Sequence, residues 1–302
     1  MIYLHLGLHK TATTSLQSSI YPNLKGVKYL GRSFENIKDS DEFYIKLCTY
    51  CFSSEDDSNL ELALHQELFE LELKYGNVLI SEEWFTADYS GFYQFSGASW
   101  QVKLRKLSKI VAGLNFSVLI SIRNPLLAAY SQYCEFHSVH IQKKYSDFKA
   151  YINYSNDIKI YNYIEFDSYL SEMFGKVAYL SFDMIKDGRY RQFLSEFFSQ
   201  GSLQIIKHEN QRKEVAKGKV INRSNFYWDK IRLLVSKKLK AKISKSVLIV
   251  KLNDWITKVL MNKTLLKELT ESDRKEFQNK YESSFYFYKE IDSSMAPLPF
   301  SE

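Results

Sequence analysis

The chain has 302 residues, with 45% hydrophobic and 25% charged positions, the make-up of an ordinary soluble globular protein with room for a large core. Its net charge of +6 suits a polyanionic ligand, but no arginine-rich arm, zinc-ligand array or RNA-binding aromatic signature accompanies it, which argues against nucleic acid. Three cysteines, Cys48, Cys51 and Cys134, are too few for a disulfide framework, and the Cys48/Cys51 pair lacks the second pair of a metal site, so two reduced, half-buried thiols are expected.

The apolar run Ile2-Tyr3-Leu4-His5-Leu6 reads as a strand, and Gly7-Leu8-His9-Lys10-Thr11-Ala12-Thr13-Thr14-Ser15 as a turn leading into a helix over 13–19. The first N–H groups of a helix have no partner within it and sit at the positive end of its dipole. A strand, a small hydroxyl-rich turn and a helix start therefore make an anion cradle. Lys10 adds a mobile cation, and Thr13, Thr14 and Ser15 add hydroxyl donors. In the common nucleotide loop a Gly-Lys-Ser/Thr triplet closes the turn, whereas Lys10 stands three residues after Gly7 and has hydroxyl residues after it.

A short strand is expected at 28–31, helices at 39–52 and 59–74, a strand at 77–81, a helix at 99–112, a strand at 116–122 and a helix at 126–138. Leu60, Leu64, Leu68 and Leu71 form a helical stripe that should pack on a sheet, and His65 reads as a surface residue. A helix from Tyr161 to Phe174 ends at Gly175, a strand runs from Val177 to Phe182, an acidic turn covers 183–188, and a helix spans 190–199. From about residue 210 the chain is rich in Lys, Asn and Ser, with amphipathic segments at 226–240, 247–260 and 264–288. The basic stretches 207–219 and 236–245 read as solvated faces.

Strand and helix alternation implies an α/β fold with a parallel sheet. One domain over 1–302 is expected, with an α/β core to about 209 and a helical C-terminal portion. The chain starts directly in its first strand and has no run of about 18 apolar residues, so no membrane span and a cytoplasmic location are expected.

Gly-x-x-Lys-Thr-x-Thr-Thr-Ser-Leu-Gln, at 7–17, resembles the 5′-phosphosulfate loop of sulfotransferases that use 3′-phosphoadenosine 5′-phosphosulfate (PAPS), above all bacterial and heparan-type carbohydrate enzymes. Arg123-Asn124-Pro125, at the end of an apolar strand and followed by Ser131 on a helix, is similar to the 3′-phosphate motif of that family. The Phe174-Gly175, strand, acidic turn and helix order is similar to the later part of its bacterial members. The family usually has glycine where this chain has Ala12, so negative φ is expected there.

The resemblance implies a P-loop-like three-layer fold, a bacterial-type enzyme, PAPS as cofactor with adenosine 3′,5′-bisphosphate as product, and no metal. It implies in-line transfer of a sulfuryl group to a hydroxyl or amine of a carbohydrate or glycoconjugate. Lys10, Thr11, Ala12, Thr13, Thr14 and Ser15 would hold the 5′-phosphosulfate, with Lys10 at the leaving oxygen, and Arg123 and Ser131 the 3′-phosphate.

Ligands in open α/β sheets bind beyond the carboxyl ends of the strands, where Glu82 and Glu83 follow Val78-Leu79-Ile80-Ser81. The family has an acidic base after the corresponding strand, and the Ser-x-Glu pattern favours Glu83 over Glu82, only one of which can point into a cleft. His9, His137 and His140 are alternative bases, and Lys217-Gly218-Lys219 with Arg223 is loosely similar to a basic loop over the cofactor. Trp84, Tyr89, Phe92, Tyr93 and Trp100, within or beside the segments 32–60 and 84–100, offer faces for sugar rings. An ATP-dependent kinase and an inactive nucleotide-binding scaffold are the competing readings.

Overall fold

The computed structural model describes residues 1–33, 40–88, 97–136, 141, 144–200, 203 and 269–294. Expectations that fall on His137, His140, Tyr89, Phe92, Tyr93, Lys217, Gly218, Lys219 and Arg223, and on the segments 226–240 and 247–260, lie outside them.

The described residues hold one parallel sheet of five strands: β1 (Ile2–His5), β2 (Lys28–Gly31), β3 (Val78–Ser81), β4 (Phe116–Ile122) and β5 (Val177–Ser181), in the order β2-β3-β1-β4-β5. The central strands are apolar on both faces because both are covered. Tyr3, Leu79, Leu119 and Leu180 form one core cluster with Leu16 of α1 (Thr13–Ser19) and Ile20 just after it, and with residues of the later helices α8 (Phe182–Asp187) and α9 (Tyr190–Phe197). Ile2, Leu4, Val78, Ile80, Val118 and Ile120 point the other way and are equally buried. On that face lie α2 (Glu42–Phe52), α3 (Ser58–Tyr75), α4 (Trp100–Val111) and α7 (Tyr163–Phe174), completing a three-layer α/β fold.

Short polar residues set the helix starts. Asp41 accepts from the N–H groups of Phe43 and Tyr44 at α2, and Asp57 from Asn59 and Leu60 at α3. Gly76 closes α3 with φ 73°, and Leu64 and Leu68 carry its buried stripe. His65 is half-buried, and its Nδ1 donates to the Ile110 carbonyl at 2.8 Å. Cys48 and Cys51 are free thiols fully buried on α2 rather than half-buried, and burial pushes both pKa values up, so they are inert core residues.

Most elements match the sequence pattern within two residues, with differences at short ones. The expected acidic turn is helix α8, which follows β5 without a loop because the Ser181 hydroxyl accepts from Met184 N–H at 3.0 Å. A helix of six residues is too short to show a period. For the same reason α6 (Phe148–Tyr154) has no counterpart among the expected elements.

Two compact units are present. The first comprises Met1–Ala129, Ser155–Asn210 and Phe277–Glu302 and holds the whole sheet, as well as α11 (Glu282–Ser293). The second comprises Tyr130–Tyr154 and Gln211–Glu276, in which Tyr133 packs on Phe148 and Tyr151, and Lys149 pairs with Glu276 of α10 (Glu271–Lys280) at 3.0 Å. Helix α5 (Pro125–Phe136) begins in the first unit and runs into the second. No described helix is long and apolar enough to cross a membrane.

Candidate active site

The chain leaves β1 toward β2 on one side and enters β4 on the other, so the carboxyl ends of β1 and β4 bound the switch point of the sheet. There the flanking connections diverge and leave a crevice. The ladder runs into it, with Leu8 N–H donating to the Ser121 carbonyl at 3.1 Å and Glu82 N–H to that of His5 at 3.2 Å. Three connections therefore meet above β1: the loop at 7–12, the turn after β3 and the Arg123-Asn124 corner after β4.

Lys10 and Ala12 both adopt left-handed backbone conformations, each with φ 67°, and Ala12 is the N-cap of α1. The expectation of negative φ at Ala12 is thus corrected: the loop keeps the conformation glycine would favour and bears the Cβ strain, about 1 kcal/mol per residue. Its neighbours enforce this. Thr11, fully buried, donates its hydroxyl to the Leu8 carbonyl at 2.5 Å, Arg123 Nη1 donates to the Lys10 carbonyl at 3.3 Å, and Thr86 donates to the Gly7 carbonyl at 3.3 Å. A Cβ on Gly7 would lie 2.3 Å from Thr13 Cγ2, so only glycine lets β1 pass under the helix start.

Side chains alternate along the loop. Lys10, Ala12 and Thr14 are half-exposed, while Thr11, Thr13 and Ser15 are turned inward. Thr13 donates its hydroxyl to Glu83 Oε2. The expected cation and carboxylate regions therefore share a boundary, formed by one threonine.

Arg123 is half-buried at the end of β4, with its guanidinium 4.6 Å from the centre of the Phe182 ring. Tyr163 donates to the Arg123 carbonyl at 2.5 Å, which fixes the corner. Ser131 is half-buried on α5 and belongs to the second unit.

Glu82 and Glu83 face different surroundings. Glu82 is wholly buried, accepts the Tyr44 hydroxyl, and accepts Trp84 N–H at 3.0 Å as the cap of a 3-10 turn, Glu83–Thr86. Burial pushes its pKa up, against the pull of Arg32. The Glu83 side chain keeps 12% exposure, with Oε1 3.8 Å from His9 Nδ1 and 3.7 Å from Arg32 Nη2. Burial pushes its pKa up as well, but His9, Arg32, the Thr13 hydroxyl and Lys10 outweigh it and hold the carboxyl below its ordinary value. Adjacent carboxyls driven in opposite directions are suited to different tasks.

A buried lysine holds the turn after β3, and a second holds the end of α2. Lys103, without exposure, donates to the carbonyls of Trp84, at 3.0 Å, and Ala87, and lies 4.7 Å from the centre of the Phe52 ring. Burial lowers its pKa to about 8, even with Asp157 and Asp88 nearby. Lys106, one turn on, donates to Ser53 and Glu55 carbonyls just past the end of α2. Trp84 and Trp100 are core residues and not sugar platforms. Trp84 lies edge-on to His9 at 4.5 Å between ring centres, and Trp100 packs on Phe166 and Tyr169.

Beneath both regions His5 spans three strands, with Nδ1 2.7 Å from Ser81 Oγ and Nε2 2.5 Å from Ser121 Oγ. Gln17 donates to the same Ser81 hydroxyl at 3.0 Å. Burial lowers the His5 pKa to about 3, so the ring is neutral. Sequence reasoning missed His5, Gln17, Arg32 and Tyr44. The available signals were a histidine inside an apolar strand and an arginine one residue past a strand end.

No family model matches the chain, and no curated protein does. Among solved structures, a sulfotransferase from Alicyclobacillus acidocaldarius is similar, with a TM-score of 0.40 and 14% identity over 70% of this chain and 86% of that one.

Proposed function

We propose that the chain is a sulfotransferase that takes a sulfuryl group from PAPS and transfers it to a hydroxyl or amine of a carbohydrate or glycoconjugate. One observation carries the reading: Arg123 just past the end of β4 bonds the backbone of Lys10, while Glu83 in the turn after β3 meets Thr13, the first residue of the helix that follows the same loop. Two cationic motifs and a carboxylate thereby converge on one strand end.

The residues fit such a cofactor. Left-handed turns at Lys10 and Ala12, enforced from three sides, shape a loop whose half-exposed positions are a cation, a methyl and a hydroxyl. Bound PAPS supplies an activated sulfuryl group whose leaving oxygen belongs to a phosphate. Lys10 would supply an ammonium for the charge that collects on that oxygen, stabilising the transition state more than the ground state. Backbone N–H groups from Lys10 to Ser15 and the Thr14 hydroxyl would hold the 5′ end, and the fork of Arg123 would take the 3′-phosphate.

Glu83 accepts the acceptor's proton as the new bond to sulfur forms. A carboxylate held ionised by His9, Arg32 and Lys10 is ready for that at neutral pH. Glu82 is committed to Tyr44 and the turn backbone, and so positions Glu83.

Calorimetric titration with adenosine 3′,5′-bisphosphate, set against ATP with magnesium, tests the reading. Preferential binding of the bisphosphate that is lost in Arg123→Ala is expected. Preference for ATP would move the chain to the kinase reading, and binding of neither to an inactive scaffold.

A further inference from the structure

Thr13 occupies a place that neither a helix start nor an anion loop requires. Its methyl fills the space where Gly7 lacks a Cβ, and its hydroxyl donates to Glu83 Oε2 in the turn after β3. A threonine hydroxyl carries one hydrogen, so it donates to one acceptor at a time. Two acceptors have a claim on it under the proposed function. One is the Glu83 carboxylate, and the other is the anionic end of the cofactor in the loop.

We propose that the Thr13 hydroxyl is an exchangeable donor coupling cofactor binding to the base: an anion seated in the loop takes its hydrogen bond, and Glu83 Oε2 is thereby released to accept the acceptor's proton. This rests on the sulfotransferase reading and adds an order of events, cofactor before acceptor. The proton leaves the acceptor oxygen for Glu83 Oε2 as that oxygen bonds to sulfur, and the electron pair of the broken bond stays on the leaving phosphate oxygen.

The surroundings of Glu83 suit such a release. Arg32 faces it from the end of β2, His9 and Lys10 from the loop, Thr13 from α1, and Glu82 is its neighbour in the turn. Arg32 and His9 both approach Oε1, on the opposite side of the carboxylate from Thr13. Loss of the Thr13 bond therefore frees one oxygen while the other stays held in place. Without this coupling an ionised base would stand ready in the absence of anything to transfer.

The test is a double-variant cycle on binding of adenosine 3′,5′-bisphosphate, measured by calorimetry. Thr13→Val keeps the shape and removes the hydroxyl. With Glu83 present, Thr13→Val gives up one bond and spares the breaking of another, so affinity should change by less than about threefold. With Glu83→Ala nothing competes for the hydroxyl, and the same substitution should weaken binding by about tenfold or more. The charge removed with Glu83 is common to both legs and cancels. Thr13→Ser should behave as the native chain in both backgrounds. Glu83→Met fills a similar volume and replaces Glu83→Ala if the smaller variant does not fold. Equal factors for Thr13→Val in the two backgrounds would overturn the exchange while leaving the sulfotransferase reading intact. Absence of bisphosphate binding in the native chain would overturn both.

Discussion

The loop after β1 and the turn after β3 lie side by side at the carboxyl end of the sheet, yet they are held by opposite means. The loop is shaped through its backbone: two left-handed residues, carbonyls tied by Thr11, Thr86 and Arg123, and a glycine with no space for a side chain. The turn is shaped by buried charge, with Lys103 on its carbonyls, Tyr44 on Glu82 and Arg32 beside Glu83. Under the proposed function the loop offers backbone N–H groups to an anion, so their direction must be fixed by the backbone itself. A base, the role proposed for Glu83, needs a set ionisation, which burial, neighbouring charges and the Thr13 hydroxyl set together. His5 lies under both.

Acid should break both regions at once, with the largest effect. The folded pKa of His5, about 3, is below its ordinary 6.5, so its contribution is complete above pH 6.5 and is lost as pH falls toward 3. The loss is about 1.4 kcal/mol per pH unit in that window. Urea unfolding at stepped pH should show this slope in the native chain and a shallower one in His5→Gln.

Lys10→Ala breaks the loop's chemistry alone. Under the proposed function, sulfuryl transfer should fall by at least about a hundredfold with the melting temperature kept. Native turnover in that variant would remove Lys10 from the mechanism.

Lys103→Met breaks the turn alone. Orphaning the carbonyls of Trp84 and Ala87 should destabilise the chain by about 3 kcal/mol in denaturant titration. Bisphosphate affinity, a property of the loop, should fall much less.

Ala12→Gly sharpens the comparison with the smallest effect. It relieves the left-handed strain and should stabilise the chain by about 0.5 kcal/mol, because the gain exceeds glycine's extra freedom in the unfolded state. Destabilisation by about 0.5 kcal/mol, glycine's entropic cost alone, would mean that Ala12 holds no strain.

Much of the fold was legible because its signals are local. Apolar runs bounded by turns located the strands that form the sheet, and Asp41, Asp57 and Ser99 capped helices near the expected starts. The loop and Arg123 were legible because a strand end followed by Lys, Thr and Ser, or by Arg-Asn-Pro, is a local pattern. Conversely, Trp84 and Trp100 were read as platforms because an aromatic residue beside a site looks the same in sequence whether it faces a ligand or the core.

The sequence by itself determined the order of strands and helices, the candidate anion loop, the arginine corner and the pair of glutamates, since each depends on residues a few positions apart. Only the tertiary structure decided which glutamate meets the loop, that Ala12 is left-handed, and that Arg32, Tyr44 and Lys103 serve the turn. The His5 contacts show the reason. Its partners Ser81 and Ser121 are 76 and 116 residues away, and they meet it only because the chain places β3 and β4 on either side of β1. Register in a parallel sheet joins residues whose sequence separation carries no trace of their contact.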